Sequence, residues 1–469
     1  MSTLEKLWSV DQIKALLKDS PWVKVAGVDM DGILRGKTMS RQKFLSSTKS
    51  GFGYCSIVFG WDMNDKSYTT STAFSSEVNG NADVWAKVDL NSHRPLIWEN
   101  GMPLFLCTFH DPHGSDLPAL PVCPRSLLAR ICDHGEQGLG IKAYAGVEYE
   151  FFNYQETPKS LEEKAGTGLI PATPGMFGYS ILRPNLYQDY MDELLKFTRE
   201  MDVPIESIHT ETGPGVLETA LSYGPVRSMG DQTVLFKYIA KATGLRHGLI
   251  SSFMAKPCKG LPGSSGHVHL SLRGTGDREG EGTLFGSDPQ GPHGLTPTMA
   301  HFLAGVLRGL PSILSILAPT INSYKRLVEN YFAPVTLTWG HENRQAAIRV
   351  ILEPANSSRM EVRVPGADST GPLVLAAILG CGLKGIEERW IPPPPAKGCS
   401  TKDESGKPYE RLANTLRESL ALTNAPDSMA RQVLGDGFVD HWVATREHEL
   451  REWEQSVTNW EVKRYLELV

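Results

Sequence analysis

Ala143-Tyr144-Ala145-Gly146-Val147-Glu148-Tyr149-Glu150-Phe151-Phe152-Asn153 places apolar residues at odd positions and, at Glu148 and Glu150, carboxylates at even ones. A period of two predicts a strand over 143–153 with both glutamates on one face. A solvated sheet face is the ordinary setting for such a pair. Aromatic and β-branched flanks suit that setting poorly, and a metal site is the competing reading.

Other segments carry the same kind of side chain. Glu211 and Glu218 bracket Thr-Gly-Pro-Gly-Val-Leu, a turn tight enough to bring two distant carboxylates toward one point. In Gly263-Ser264-Ser265-Gly266-His267-Val268-His269-Leu270-Ser271, a glycine-rich turn leads into a strand that sends His267, His269 and Ser271 to one face. Zinc is one alternative there, but zinc would want cysteine or more histidine nearby. No G-x-x-x-x-G-K-[ST] phosphate loop occurs. Asn322-Ser-Tyr-Lys-Arg326, Asn343-Arg344 through Arg349, and Arg359-Met-Glu361-Val-Arg363 add arginines beside apolar strands. A salt-bridge ladder is the structural alternative for any one of them. Five guanidinium groups in such surroundings are costly without counter-charge, which anionic ligands such as phosphate and a substrate carboxylate would supply. Five carboxylates and one imidazole (Glu148, Glu150, Glu211, Glu218, Glu361, His267) suit two oxygen-rich sites for Mg²⁺ or Mn²⁺. That inventory suits ATP-driven ligation.

A chain of 469 residues is too long for one small core, so two domains are expected, one of them large. Strands are predicted over 23–30 and 33–39, flanking an Asp31-Gly32 hairpin turn, and over 53–59, 82–90 and 103–109, with a helix near 41–47. Asp111-Pro112-His113-Gly114 and the prolines after it mark a boundary between domains 1–112 and 113–469. Beyond it, helices are predicted over 187–201 and 231–247 and strands over 267–272 and 359–364. Residues 274–294 read as a polar glycine-rich insertion and 392–395 as a surface loop. The net charge of -6 without a basic block argues against nucleic acid or an acidic membrane as partner. No apolar run is read as long enough for a membrane span. Seven scattered cysteines without a C-x-x-C pair, and an N-terminus without an apolar signal core, give a cytoplasmic expectation with reduced thiols, in which the Asn356-Ser357-Ser358 sequon is idle.

Taken in order, E-x-E, E-x-x-P-G-x-x-E, G-H-x-H-x-S, N-x-Y-K-R, N-R-x-A-x-x-R and R-x-E-x-R resemble the glutamine synthetase superfamily over nearly the whole chain. The resemblance implies an α+β protein: an N-terminal β-grasp domain, then a large catalytic domain whose curved antiparallel strands form a funnel. It implies that Glu150, Glu211 and Glu218 hold one metal and Glu148, His267 and Glu361 a second, within a set of two or three Mg²⁺ or Mn²⁺ ions. His269, Ser271 and Arg359 match nucleotide-contacting positions, and Tyr223 stands where an aromatic residue lies near adenine. Arg326 and Arg363 match the clamp on the glutamate carboxylate, Gly263 lines that site, and Arg344 and Arg349 match phosphate-facing arginines. Arg326, Arg344 and Arg349 are thus the implied catalytic cations. ATP would phosphorylate the γ-carboxylate of glutamate, and an amine or ammonia would attack the γ-glutamyl phosphate. The family's ring-shaped homo-oligomers, with active sites between subunits, set the expected assembly.

Three departures bear on the nucleophile. Where bacterial-type relatives carry a glutamate that binds and deprotonates ammonium, this chain has Phe332. Their F-D-G-S-S turn, contributed by a neighbouring subunit, is replaced by Phe59-Gly60-Trp61-Asp62, with the acid displaced. Pro262 stands in place of an asparagine. Phe332 and Trp61 make a site better suited to an organic amine than to bare ammonium. Wording around Phe332-Ala-Pro and Trp339-Gly-His-Glu-Asn-Arg344 looks like the γ-glutamylpolyamine synthetase-like branch. A glutamate–amine ligase is the leading expectation. A true glutamine synthetase and a non-catalytic structural member of the superfamily are the alternatives. No tyrosine-bearing adenylylation loop is recognisable over 392–407.

Overall fold

The structure is a computed structural model and describes residues 8–68, 70, 72, 74–75, 79–114, 116–276, 279–280, 282–329, 332–353, 357–398, 401–403 and 405–469. Asn356 of the sequon and Cys399 lie outside the described residues. The chain begins with α1 (Val10–Leu16), β1 (Trp22–Val28), β2 (Leu34–Ser40), α2 (Arg41–Ser50), β3 (Phe52–Cys55), β4 (Asp83–Val88), β5 (Arg94–Leu96) and β6 (Met102–His110). These strands form a small mixed sheet in the order β2-β1-β6-β4-β3, with β5 on β6 and a parallel β1–β6 pair. Phe44 of α2 packs on Phe105 of β6 at 4.7 Å between ring centres.

Two local expectations need correction. The β1–β2 turn is longer than the Asp31-Gly32 dipeptide: it spans 29–33, and only Gly32 (φ 79°) is left-handed there. Asp29 organises it, accepting from the backbone N–H of Asp31 (3.0 Å) and Ile33 (2.8 Å). The expected strand over 53–59 also ends early, giving way to a 3₁₀ turn at Ser56–Phe59. Ser56, Val58 and Phe59 are all buried there, a pattern no alternating strand can provide.

After α3 (Pro124–Asp133) comes the long central strand β7 (Ile141–Tyr154), then α4 (Pro158–Glu163), α5 (Gln188–Glu200), β8 (Ile205–Thr210), β9 (Val216–Leu221), β10 (Gly224–Pro225) and α6 (Val226–Arg246). The rest comprises β11 (Ile250–Ser252), β12 (Val268–Gly274), α7 (Pro297–Leu317), β13 (Trp339–His341), β14 (Ile348–Ile351), β15 (Arg359–Val362), α8 (Gly371–Glu387), α9 (Leu416–Asn424), α10 (Met429–Leu434), α11 (Asp436–Gln455) and α12 (Asn459–Tyr465). The strands form a second, curled sheet in the order β13-β14-β15-β12-β7-β9-β8, with β10 and β11 also on β7. Its pairs are antiparallel except β13–β14. The chain therefore adopts the expected α+β organisation of a small β-grasp sheet followed by a larger, open, mainly antiparallel one.

Register on β7 is fixed by burial. Ile141, Ala143, Ala145, Val147, Tyr149 and Phe151 are all buried. Each large apolar side chain contributes about 1.5–3 kcal/mol relative to exposure, so a slip of one residue, which would turn Glu148 and Glu150 into the apolar core and these side chains toward the opposite face, is excluded.

The expectation that no segment is long and apolar enough to cross a membrane is overturned by α7, whose 21 residues meet that test by length and composition. Its apolar surface lies inside the protein, against α8 and α9. The six described cysteines are free thiols, with Cys107, Cys123, Cys132 and Cys381 buried.

Candidate active site

Pairing registers carry the even face of β7 into two rows of functional side chains. Glu150 lies opposite Glu218 of β9, and Glu218 lies opposite His209 of β8. On the other flank, His269 of β12 lies opposite Gly146 and also opposite Glu361 of β15, which in turn faces Arg349 of β14. Direct partners in antiparallel strands share a face, so each row projects into the same concavity. Glu211 reaches the first row through the predicted turn. Gly215 (φ 70°) is required there, because a Cβ would sit 2.5 Å from the Asn153 carbonyl oxygen.

The first row closes into a cluster in which ligand atoms of His209, Glu211 and Glu218 lie within 4.8 Å of one another. Glu150 stands beside them, accepting from the Ser265 N–H at 2.9 Å. In the second cluster Glu148, His269 and Glu361 approach within the same limit. His267 Nδ1 lies 3.5 Å from both Glu148 Oε2 and Glu361 Oε1. His269 Nε2 lies 3.1 Å from Glu148 Oε1. Four of the six candidates expected from sequence (Glu148, Glu361, Glu211 and Glu218) fall in these two groups, each with a histidine not expected there, while Glu150 and His267 lie beside them. His209 was missed. Its spacing of two from Glu211 was the available signal, and its ring stacks on Tyr179 at 4.3 Å. His269, matched by sequence to the nucleotide, faces the carboxylates.

The charges do not balance within the first cluster. Burial pushes Glu218 up to about 9, and the neighbouring Glu150, Glu148 and Glu211 add to the rise. Burial likewise raises Glu150 despite His267, the Ser265 N–H and Arg326. In the second cluster, burial is outweighed. His267 and His269 hold Glu148 below the usual carboxylate range, and His267, Arg363 and His269 do so for Glu361. Buried carboxylates that cannot all ionise together, beside imidazole, form a donor set that fits hard divalent cations.

The clusters open on a cavity of about 560 Å³, also bordered by Gly263, Arg326, Phe332, Arg344, Arg349 and Arg363. Arg326 is buried, donating to Ser265 Oγ at 3.2 Å and to the Val364 carbonyl, while its Nε has no hydrogen-bond partner among the described residues. Gly263 lets it pass, since a Cβ there would lie 2.6 Å from Arg326 Cγ. Arg363 donates to Glu361 and, at 3.1 Å, to the Arg344 carbonyl. Arg344 is exposed to the cavity.

Three predicted nucleotide contacts lie off this cavity. Tyr223 stacks on Tyr144 at 5.5 Å, with the Arg273 guanidinium 4.9 Å from the Tyr144 ring. Ser271 pairs across the strands with Tyr144, forming part of the same shelf beyond Gly146. Arg359 is turned toward Glu353 at 3.3 Å. Trp61 and Asp62 do not line the cavity of their own chain. Asp62 Oδ1 accepts from the N–H of Asn64 (2.8 Å) and Lys66 (2.9 Å), and Oδ2 lies 3.1 Å from His448 Nε2.

One concavity of a curled sheet is thus lined with paired carboxylates, histidines and arginines. Residues 121–465 match the family model of the glutamine synthetase catalytic domain, and the chain belongs to that family. It is 40% identical to type-1 glutamine synthetase 2 of Dictyostelium discoideum over 98% of this chain and 86% of that one. Identity to a glutamate–isopropylamine ligase of a Pseudomonas species is 31%, over 95% of each chain. In fold it is similar to ligand-free GmaS, with a TM-score of 0.81 and 24% identity over 100% of both chains.

Proposed function

We propose that this protein is an ATP-dependent ligase that joins the γ-carboxylate of glutamate to an organic amine through a γ-glutamyl phosphate. The observation that carries the choice of amine is Phe332, whose 65% exposed side chain borders the cavity where ammonia-using relatives are expected to present an acid. A phenyl ring neither binds ammonium as a counter-ion nor takes its proton. Membership of a family with a named amine ligase supports the reading. The relative named glutamine synthetase favours ammonia as the second reading.

Arg326 and Arg363 hold the carboxylate of glutamate, and Arg344 and Arg349 face the transferred phosphoryl group. Glu150, Glu211 and Glu218 with His209, and Glu148, His267 and Glu361 with His269, would hold two or three Mg²⁺ or Mn²⁺ ions. Bound there, the ions would neutralise charge between the phosphates of ATP and the γ-carboxylate. Attack by the neutral amine nitrogen on the acyl carbon forms the C–N bond as the C–O bond to phosphate breaks; phosphate leaves, and the nitrogen's surplus proton passes to solvent. Active sites between subunits of a ring, and a cytoplasmic setting, belong to the same proposal. Support for an assembly comes from exposed Ile181, Leu182 and Leu186, and from the apolar C-terminal residues Leu466, Leu468 and Val469.

The test is ATP-dependent product formation followed by mass spectrometry, with ammonium set against mono-, di- and polyamines. An amine should give the highest kcat/KM. Glutamine formation exceeding every amide would overturn the choice of nucleophile.

A further inference from the structure

Arg326 is buried with its guanidinium on neutral partners, the Ser265 hydroxyl and the Val364 carbonyl. A buried cation in such surroundings needs a counter-charge. The acids whose charge reaches it are Glu150 and Asp368. Glu150 stands beside the first carboxylate cluster, where a bound cation would draw on its charge. Asp368 belongs to neither cluster and does not border the cavity.

Asp368 lies between β15 and α8, and its Oδ2 accepts from Thr320 Oγ1 at 3.0 Å and from Ser323 Oγ at 2.5 Å. Those two residues close a small turn on themselves. The Thr320 N–H donates to Ser323 Oγ at 3.0 Å, and the Ser323 N–H donates to Thr320 Oγ1 at 3.1 Å. The Ser323 carbonyl then accepts from the Arg326 N–H at 3.1 Å. The carboxylate therefore grips the base of the turn from which Arg326 projects. Its second oxygen, Oδ1, is buried and has no hydrogen-bond partner among the described residues, and the same holds for Arg326 Nε. An anionic acceptor and a cationic donor are thus both left over. Both groups come close to Ala255, with glycines in between. A Cβ on Gly263 would lie 2.4 Å from the Ala255 carbonyl oxygen and 2.6 Å from Arg326 Cγ. One on Gly366 would lie 2.3 Å from Asp368 Oδ1 and 3.6 Å from Ala255 Cβ. Burial raises Asp368, and Ser323, Thr320, Lys237 and Arg326 oppose the rise. Lys237 is also committed to the Ser369 carbonyl, at 2.6 Å.

We propose that Asp368 is a positioning residue for the acid substrate: its carboxylate is the standing counter-charge of Arg326 and anchors the turn that carries it. The inference rests on the reading above in which Arg326 holds the carboxylate of glutamate. With the guanidinium charged and aimed before substrate arrives, the substrate carboxylate meets a group that needs no rearrangement.

The experiment measures KM for glutamate and for ATP in three variants, each checked for folding by thermal melting. Asp368→Asn keeps an oxygen for Thr320 and Ser323 but removes the charge. It should raise KM for glutamate about tenfold, the worth of one hydrogen bond between charged groups, and leave KM for ATP within about twofold. Thr320→Val combined with Ser323→Ala keeps the charge and frees the carboxylate, and should give a smaller rise in KM for glutamate alone. An unchanged KM for glutamate in Asp368→Asn, or equal rises for both substrates, overturns the role of Asp368. If Asp368→Asn does not fold, the double variant decides by the same two outcomes. Arg326→Gln is the reference: a wild-type KM for glutamate there overturns the reading of Arg326 and the role of Asp368 together, whereas a raised one beside a silent Asp368→Asn overturns Asp368 alone.

Discussion

Arg349 and Glu361 face each other across β14 and β15, with Arg349 Nη1 3.2 Å from Glu361 Oε2, while Arg363 takes the other carboxylate oxygen. One buried carboxylate thus serves two arginines and stands with Glu148, His267 and His269 in the second cluster. It joins Arg349 and Arg363, the arginines proposed to face phosphate and substrate, into one network.

Glu361→Gln should reduce ATP turnover on the order of 100-fold or more, because it removes a metal ligand and the counter-charge of two guanidinium groups. It should also destabilise the fold by about 3–5 kcal/mol, since breaking a buried pair leaves charge uncompensated. ADP release and denaturant unfolding measure the two effects. Wild-type turnover in the variant would remove Glu361 from the site.

Gly263→Ala tests the seating of Arg326. An added Cβ would meet the Ala255 carbonyl oxygen at 2.4 Å and Arg326 Cγ at 2.6 Å, so the arginine must shift. Misplacing a substrate-holding group by about an ångström costs roughly ten- to a hundredfold, and the loss should fall on kcat/KM for glutamate more than on KM for ATP. Equal losses for both substrates would place Arg326 elsewhere in the reaction.

Arg363→Lys should raise the KM for glutamate about tenfold despite keeping the charge. A single ammonium cannot serve Glu361, the Arg344 carbonyl and a substrate carboxylate in one plane. Steady-state kinetics with glutamate varied at saturating ATP give the answer, and an unchanged KM moves the clamp to other residues.

The parts of this site that the sequence revealed are those carried by regular alternation. β7 keeps its odd face buried for most of 14 residues, so Glu148 and Glu150 were readable as a pair. The sequence alternates clearly enough over 267–272 and 359–364 to bring in His267 and Glu361. His209 escaped because β8 breaks its alternation at an irregularity between Ile205 and Ser207. β13, three residues long, has too few positions to show a period. The hairpin at Asp31-Gly32 forms as expected, but its turn is longer than the dipeptide for a tertiary reason. Asp31 is drawn to Arg446 of α11 at 2.7 Å, while Asp29 takes over the turn's backbone N–H groups. No local pattern encodes a partner 415 positions away.

Proton linkage at Glu218 gives a further prediction. Its ordinary value is 4.5 and the folded value about 9, so between them the folded chain holds a proton that the unfolded chain has released. The folded state binds more protons in that window, and stability from this group, complete below 4.5, is lost as pH rises through about 9. A bound cation displaces the proton, so Mn²⁺ affinity should rise with pH over the same range. Melting of metal-free wild type should fall relative to Glu218→Gln from about pH 5 to about pH 9, and Mn²⁺ should restore the wild type most at the high end. Parallel curves for the two proteins would show that Glu218 ionises normally.

The choice of nucleophile turns on Phe332. The residue sits in the left-handed region (φ 54°), where a bulky side chain is strained, and its ring stays exposed toward the cavity. Phe332→Glu would place a carboxylate at the mouth of a cavity that already holds a dense carboxylate cluster, and an incoming ammonium ion would find both a counter-charge and a base. Ammonia-dependent glutamine formation should rise about tenfold or more, within the range a positioned base supplies, while use of the bulkier amines falls. Both activities are read by mass spectrometry under one set of ATP and Mn²⁺ concentrations. A variant that loses amine ligation without gaining ammonia use would show that the phenyl ring packs against the amine but does not decide between amine and ammonia; a wild type that already prefers ammonia would show that the proton is taken by a group other than the residue at 332.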